Sequence, residues 1–370
     1  MSYLKETIKT GLSPRLFSRM GRTLHEKGSA RGSIMKRRFE RLILVIASLG
    51  TILMSPWVAR SQGKLEKLRL AYPTVSITLA PLWIAKDKGF FEQDGLDAEL
   101  TYIRGGTTIV QAVIGGNVHI GYAGVPPILS AIARGAPAVV VAVPNNKMDY
   151  LIVSRRPIAQ PSELNGKKFA ISSFGSSSEF AARLGLEKVG ADPNSVTMVQ
   201  VGGSPERIVA LKTGAVDATI LSATDFVETS GLGFHTILDL SKSEIDYPFN
   251  VFFGLRQLAA EKRQAVLATI RAFVRGIRFL RENKEEALEL VAKRLRNPNR
   301  ETLKAQWHHV AFEYFGEDLY PTEAGFALAI KEQPGANPKA GSLPMSSVTD
   351  VSFLDELSKS GFLKQTQKSR

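Results

Sequence analysis

Cysteine is absent from the 370-residue chain, which excludes disulfides, thiolate metal sites, cysteine nucleophiles and a lipidated N-terminal cysteine together. Histidine is scarce. His25, His119, His235, His308 and His309 form no HExxH pattern and no His/carboxylate spacing of a metal site, so no metal is expected. A GxSxG elbow, a P-loop and a GxGxxG after a strand are also missing, which argues against the commonest hydrolase, nucleotide and dinucleotide chemistries. No catalytic residue and no cofactor is therefore assigned.

Acidic residues are outnumbered 35 to 48, for a formal charge of +13. The excess is local. Residues 1–61 hold 12 Lys/Arg against 3 Asp/Glu, and the remainder holds 36 against 32. No later segment interleaves basic and aromatic residues as a nucleic-acid face does, so no nucleic-acid partner is expected. With 44% hydrophobic and 22% charged residues the chain is globular, and its length suits two lobes plus extra segments.

What is present begins with a leader. From Met35 the sequence reads MKRRFER, LILVIASLGTILM and SPWVARSQG: a basic stretch, 13 apolar residues, and Ala59 and Ser61 in a small-x-small cleavage arrangement. This is the pattern of a cleaved signal peptide over residues 35–61, and it predicts a periplasmic location. Trp57 and Val58 lengthen the apolar run past Pro56 and keep a retained membrane anchor as the alternative. Residues 1–34 resemble neither structure nor targeting and read as an over-called N-terminal extension.

Beyond Gly63 strands and helices alternate. A strand is expected at Lys67–Tyr72, a helix at about Pro81–Lys88, a strand at Asp97–Ile103, a helix carrying Ile109, Val110, Val113 and Ile114, and a strand at Val118–Ala123. A helix at Pro127–Ala133 and a continuous apolar strand at Ala138–Val143 follow, as a mostly parallel sheet covered on both faces requires. The stretch Leu100–Gly124 has a counterpart in Val196–Ala223. Each holds a strand, a Gly-Gly pair, a hydroxyl residue, an amphipathic helix, a Gly, x-Val-His or x-Val-Asp, and a strand. A repeated α/β unit points to two lobes with a cleft between them, faced by the loops at the carboxyl ends of the strands. The second lobe reads from near Pro161 to near Leu240. Tyr247–Leu255 reads as a strand returning to the first lobe, and Ala259 to about Lys331 as helical cover.

Four turns offer helix-start N–H groups and hydroxyls suited to an oxyanion: Gly105–Thr108, Ser172–Ser178, Gly202–Glu206 and Ser222–Asp225. Each has a plainer reading. Thr107 and Ser204 are what ordinary N-caps look like, the latter before Pro205 and Glu206. The serines Ser176–Ser178, with Ser173 and Gly175 before them, exceed what a cap requires. Asp225 suits either a cap or a ligand amine. Arg104 beside the first Gly-Gly pair suits an anion, or is a solvated surface residue. Tyr72, Trp83 and Tyr122 offer flat faces, although aromatics at strand ends are usually core.

The ordered segments LRLAYP, APLWIAKDKGFFEQDGLDAEL, RGGTTIVQAVIGG, VHIGYAG, ELNGKKFAIS and GSSSEFAARLGLEKVG resemble the nitrate/sulfonate/taurine-class substrate-binding proteins of ABC importers, a family that also holds relatives of the thiamine-pyrimidine synthases. The resemblance runs from Leu68 to about Arg294. It implies a periplasmic-binding-protein type II fold, two α/β lobes joined by a two-strand hinge, with crossings near Ser154 and Tyr247. The chain then divides into 65–153, the first part of lobe one; 154–246, lobe two; and 247–370, the second part of lobe one with C-terminal helices. The resemblance also puts Tyr72, Thr74, Ser76, Thr107, Thr108 and Tyr122 on one wall of the cleft and Ser176 and Ser177 on the other. Its implied partners are a small-molecule ligand and an ABC permease with its ATPase at the inner membrane, and its implied state is a monomer. The cysteine-rich motif of the thiamine-pyrimidine synthases is missing, which weighs against their chemistry. An enzyme on the same fold acting on a pyrimidine-like or aromatic compound is the alternative, and the ligand-sensing part of a signalling system is the third.

Overall fold

The computed structural model describes residues 65–229, 231–243, 245–296, 299–316, 318–331 and 343–364. The leader and the 1–34 extension lie outside them. So does most of the Pro/Gly-rich stretch expected before the last helix.

Two five-stranded sheets are built on one plan. The first runs β2-β1-β3-β10-β4 and the second β7-β6-β8-β5-β9. Its strands are β1 (Glu66–Tyr72), β2 (Leu96–Tyr102), β3 (Ile120–Ala123), β4 (Ala138–Lys147) and β10 (Asp246–Leu255); the second comprises β5 (Tyr150–Ser154), β6 (Lys168–Ile171), β7 (Thr197–Gln200), β8 (Ala218–Ser222) and β9 (His235–Asp239). In each sheet the outer βαβ unit pairs parallel with the first strand, and the strand arriving from the other lobe pairs antiparallel beside it.

The duplicated sequence is this duplicated unit. His119 Nδ1 accepts from the Arg69 amide of β1 at 3.1 Å, and Asp217 Oδ2 accepts from the Lys168 amide of β6 at 3.0 Å. The two side chains occupy one structural position, a turn that satisfies a strand amide.

Helices cover the sheets. Those used below are α1 (Ala80–Asp87), α2 (Gly106–Ile114), α3 (Val125–Ala133), α4 (Ser177–Lys188), α5 (Ser204–Thr213), α6 (Ala223–Val227), α7 (Arg263–Glu282), α8 (Lys284–Leu295) and α9 (Arg300–His308), the last running on into a π-helical turn, His309–Tyr314. The helix expected from Pro127 starts at Val125, because Pro126 and Pro127 sit in its first turn where no N–H is needed. The apolar face Val266, Ile270, Phe273, Val274, Ile277 and Leu280 of α7 is buried. At Gly276 that helix meets α1 backbone to backbone, and an added Cβ would overlap the Pro81 carbonyl.

The lobes are joined where β4 runs into β5 and where β10 returns. Ser154, expected at the first crossing, is the last residue of β5 and pairs with Ala218 in the second sheet. The crossing is at Met148–Asp149, because β5 is already hydrogen-bonded to β8 from Tyr150. Among the described residues no helix is long and apolar enough to cross a membrane.

Candidate functional site

Strand–turn–helix order puts helix starts at the carboxyl edge of both sheets, and the lobes turn these edges toward each other. Ser76 precedes the 3-10 turn that leads into α1, and Gly105, Gly124, Ser176, Gly203 and Ser222 are the N-cap residues of α2, α3, α4, α5 and α6. All six border one cavity, three from each lobe. Gly105 holds φ 82°, a left-handed conformation that glycine adopts without strain. A Cβ there would stand 3.2 Å from Ser173 Oγ of the other lobe.

The lobes touch. Thr107 Oγ1 donates to the Phe174 carbonyl at 3.2 Å and lies 3.4 Å from Ser173 Oγ. Arg104 pairs with Glu206 at 2.7 Å. Ser177 packs against Gly124 so closely that a Cβ on the glycine would overlap its hydroxyl. These contacts join lobe one to lobe two and define a closed conformation.

The cavity offers about 80 Å³ to the centres of water-sized spheres. Arg207, third along from Ser204 on α5, is 3% exposed and borders it. Its guanidinium donates to the Ile220 carbonyl at 3.2 Å, the Gly202 carbonyl at 2.7 Å and Ser204 Oγ at 3.1 Å. Burial pushes its pKa below the ordinary value, while Tyr150 and Asp225 act the other way. On the same cavity lie Asp225, Tyr150, Phe249, Asn250 and Tyr314. Burial pushes the Tyr150 phenol up to about 12, so it is a neutral hydrogen-bonding group at physiological pH. Asn250 Nδ2 donates to Tyr314 Oη at 2.9 Å. Thr74 Oγ1 is buried with no hydrogen-bond partner.

Of the residues singled out from sequence, Thr74, Ser76, Ser176, Ser177, Ser204 and Asp225 border the cavity, and Tyr72, Arg104, Thr107, Thr108, Tyr122 and Ser173 do not. Arg104 is a rim residue paired with Glu206. Thr107 and Ser173 spend their hydroxyls on the contact between lobes. Thr108 is exposed, one position round the helix from the cleft. Tyr72 is half-buried against the rings of Trp83 and Tyr102. Tyr122 is 1% exposed, packed on Phe252 and Phe273 in the core of lobe one; β3 lies between β1 and β10 and is covered on both faces. Ser204 is the first helical residue rather than the cap, which is Gly203. Asp225 is not a cap either, since its own amide donates to Ser222 Oγ at 3.1 Å.

The serine run divides its work. Ser176 caps α4 and, with Ser172 and Ser178, closes a ring of hydroxyls 2.9–3.0 Å apart. Ser177 is left facing Gly124 and the cavity. Sequence reasoning missed Arg207, Tyr150, Phe249, Asn250 and Tyr314.

Two hinged α/β lobes of strand order 2-1-3-x-4, closing on a cavity ringed by helix starts, define the fold of the periplasmic binding proteins. Within that class the chain belongs to the NMT1/THI5-like family, whose model matches residues 76–287, more than half of its length. The periplasmic nitrate-binding protein NrtA of Synechocystis PCC 6803 superposes with a TM-score of 0.65 at 16% identity, over 80% of this chain and 89% of that one. The aliphatic sulphonate-binding protein SsuA of Escherichia coli does so with a TM-score of 0.58 at 20% identity, over 72% and 85%. In sequence the chain is 26% identical to the taurine-binding periplasmic protein of Escherichia coli K12 over 49% of its own length and 55% of that protein's. It spans 66% of the length of its Brucella abortus relative, a protein named for binding, at 26% identity.

Proposed function

We propose that this chain is the extracytoplasmic solute-binding protein of an ABC importer. It captures a small solute with an anionic head between its lobes and hands it unchanged to a membrane permease. The observation that carries this reading is the convergence of six helix starts and the buried Arg207 on one partly open cavity. Helix starts present unpaired N–H groups and the positive end of the helix dipole, and both favour an anion.

Size supports the same reading. A cavity that offers about 80 Å³ to the centres of water-sized spheres is on the scale of a small solute. Nitrate, short sulfonates and taurine, the solutes in the names of the similar proteins, fall at or below that size. The signal-peptide pattern after Met35 fits delivery outside the inner membrane, and a monomer fits a clamp whose site is complete within one chain.

A thermal-shift screen of the full chain against nitrate, sulfonates, carboxylates, phosphonates and pyrimidines tests the proposal. An anion present at a hundred times its Kd stabilises by about 2.7 kcal/mol. A shift with an anion and no turnover supports it. Consumption of the compound, or a shift only with neutral heterocycles, overturns it.

A further inference from the structure

Lobe two is also held from its flank. α9 and the π-helical turn after it are anchored in lobe one: Trp307 Nε1 donates to the Leu280 carbonyl of α7 at 2.9 Å, and Arg281 Nε of α7 donates to the Ala311 carbonyl at 2.6 Å. From this segment Gln306, 1% exposed, reaches α6 in lobe two. Its Nε2 donates to the Thr224 carbonyl at 2.7 Å and lies 3.4 Å from Glu228 Oε1.

The Thr224 carbonyl is left to Gln306 because α6 ends early. In a continuing α-helix the Glu228 amide would take that carbonyl; here it turns back to the Asp225 and Phe226 carbonyls. The Thr224 hydroxyl in turn lies 3.0 Å from Ser222 Oγ, which accepts from the Asp225 amide at 3.1 Å. Ser222 caps α6 and borders the cavity. A chain of three residues, Gln306, Thr224 and Ser222, thus runs from lobe one to the cavity wall of lobe two without touching the cavity at its outer end.

As static packing the contact is costly. Gln306 Oε1 is buried with no hydrogen-bond partner among the described residues, a penalty that an apolar side chain of the same length would avoid. The amide cannot turn over, since its oxygen would then face the Thr224 carbonyl oxygen. A side chain that gives one hydrogen bond across the cleft at this cost suits a contact that is made and broken, because both groups regain water when the lobes part.

We propose that Gln306 is a positioning residue for solute capture: from lobe one it holds α6 by the Thr224 carbonyl and so fixes the Ser222 wall of the cavity in the closed conformation. The proposal rests on the solute-binding reading above and adds to it a determinant of affinity that lies outside the cavity.

Calorimetry on the full-length protein with nitrate, ethanesulfonate and 2-aminoethanesulfonate, or with the tightest anion of the screen where none of these binds, tests it. Gln306→Met keeps the length and removes the donor. The Thr224 carbonyl is then stranded in the closed form alone, so the anion binds about 5- to 150-fold more weakly, while the free protein melts near the wild-type temperature. Gln306→Glu sets an ionised carboxylate against the Thr224 carbonyl and beside Glu228, whose own pKa is raised by burial and by the charge of Asp225. Once protonated, the new carboxyl donates to Thr224 as the amide does. Its deficit relative to the wild type at the same pH therefore shrinks from about pH 8 to about pH 5, and that of Gln306→Met does not. An unchanged Kd in Gln306→Met, or a lowered melting temperature with Kd kept, overturns the proposal and leaves the solute-binding reading standing. So does a Gln306→Glu deficit that is equal at both pH values. A wild type that binds none of these anions overturns both.

Discussion

Gly124→Ala is the sharpest test of how the cleft closes. Gly124 lies in lobe one at the start of α3, and its backbone, φ −68° and ψ 152°, suits alanine as well as glycine. The open form therefore takes the substitution without backbone strain. In the closed form the new methyl overlaps Ser177 Oγ and comes to 2.8 Å from Ser177 Cβ, while its 3.1 Å approach to the Phe249 carbonyl lies within lobe one and is common to both forms. Turning the hydroxyl aside removes the first clash but not the second, because carbon atoms rest at about 3.5–4.0 Å. The lobes have to stand apart by the difference. Overpacking of this kind costs about 1–3 kcal/mol. Charged to the closed state alone, that weakens ligand binding about 5- to 150-fold and leaves the melting temperature of the free protein little changed. Calorimetry with the tightest anion from the screen reads the first quantity and a thermal melt the second. Replacing Ser177 by glycine in the same chain removes both clashes with Ser177, so the double variant recovers affinity. An unchanged Kd in Gly124→Ala refutes closure on this contact.

Much of the fold was legible because the chain writes its α/β unit twice. The two Gly-Gly turns, the two helices and the His119/Asp217 turn are spaced alike, and a repeat of that kind can only form two similar lobes. The crossing strand Tyr247–Leu255 was legible for a different reason: a β-rich apolar run lying between two helical stretches has no other place in such a sheet. The first crossing was displaced to Met148–Asp149. Nothing in the local sequence marks where β5 changes sheets, since pairing with β8 and β9 is decided by strands far along the chain.

The site was half legible. Helix starts have a chemical signature, so Ser176, Ser177 and Ser204 could be found as hydroxyls near glycine and Asp225 as the acid of a Ser-x-x-Asp turn, whereas Thr74 and Ser76 came from the family resemblance. The other cavity residues come from long-range assembly. Tyr150, Phe249 and Asn250 sit on strands flanking the two crossings, and Tyr314 ends the π-helical turn, so their meeting depends on lobe geometry. Arg207 did leave a trace. In the repeat it stands where the first unit has Ile109, four residues after the N-cap and fully buried, and a charge at a position that is buried in the sister unit is a sign of function. Tyr122 failed in the opposite direction, since an aromatic at a strand end beside a cleft motif is equally well placed for the core.

Three further outcomes follow from particular contacts. Glu206→Gln breaks the pair with Arg104, whose side chain is 59% exposed; exposed pairs contribute little, so ligand affinity falls by less than about fivefold, and a larger loss by calorimetry would mean that Glu206 touches the solute. Gly276→Ala forces a methyl into the Pro81 carbonyl, which is backbone and cannot turn away. At about 1–3 kcal/mol and some 2–4 °C for each, the melting temperature drops by roughly 2–12 °C, with Kd unaffected; an unaltered melt refutes the close α1–α7 contact. The third concerns the hinge. His309 Nε2 lies 3.2 Å from Asp149 Oδ1 and Nδ1 lies 3.0 Å from Glu313 Oε2, with Asp149 3% exposed at the crossing. The bond to Asp149 first, then the charges of both carboxylates, outweigh burial and raise the imidazole to about 9. A raised histidine stabilises fully below its unfolded value of about 6.5 and loses that contribution as pH climbs through about 9. Burial also raises the Asp149 carboxyl, against the pull of its hydrogen bond and charge contact with His309. Between pH 6.5 and 9.5 the wild type therefore loses up to roughly 3 kcal/mol that His309→Gln never had. Melting curves for the two proteins converge toward the alkaline end if the ion pair holds the hinge, and run parallel if it does not.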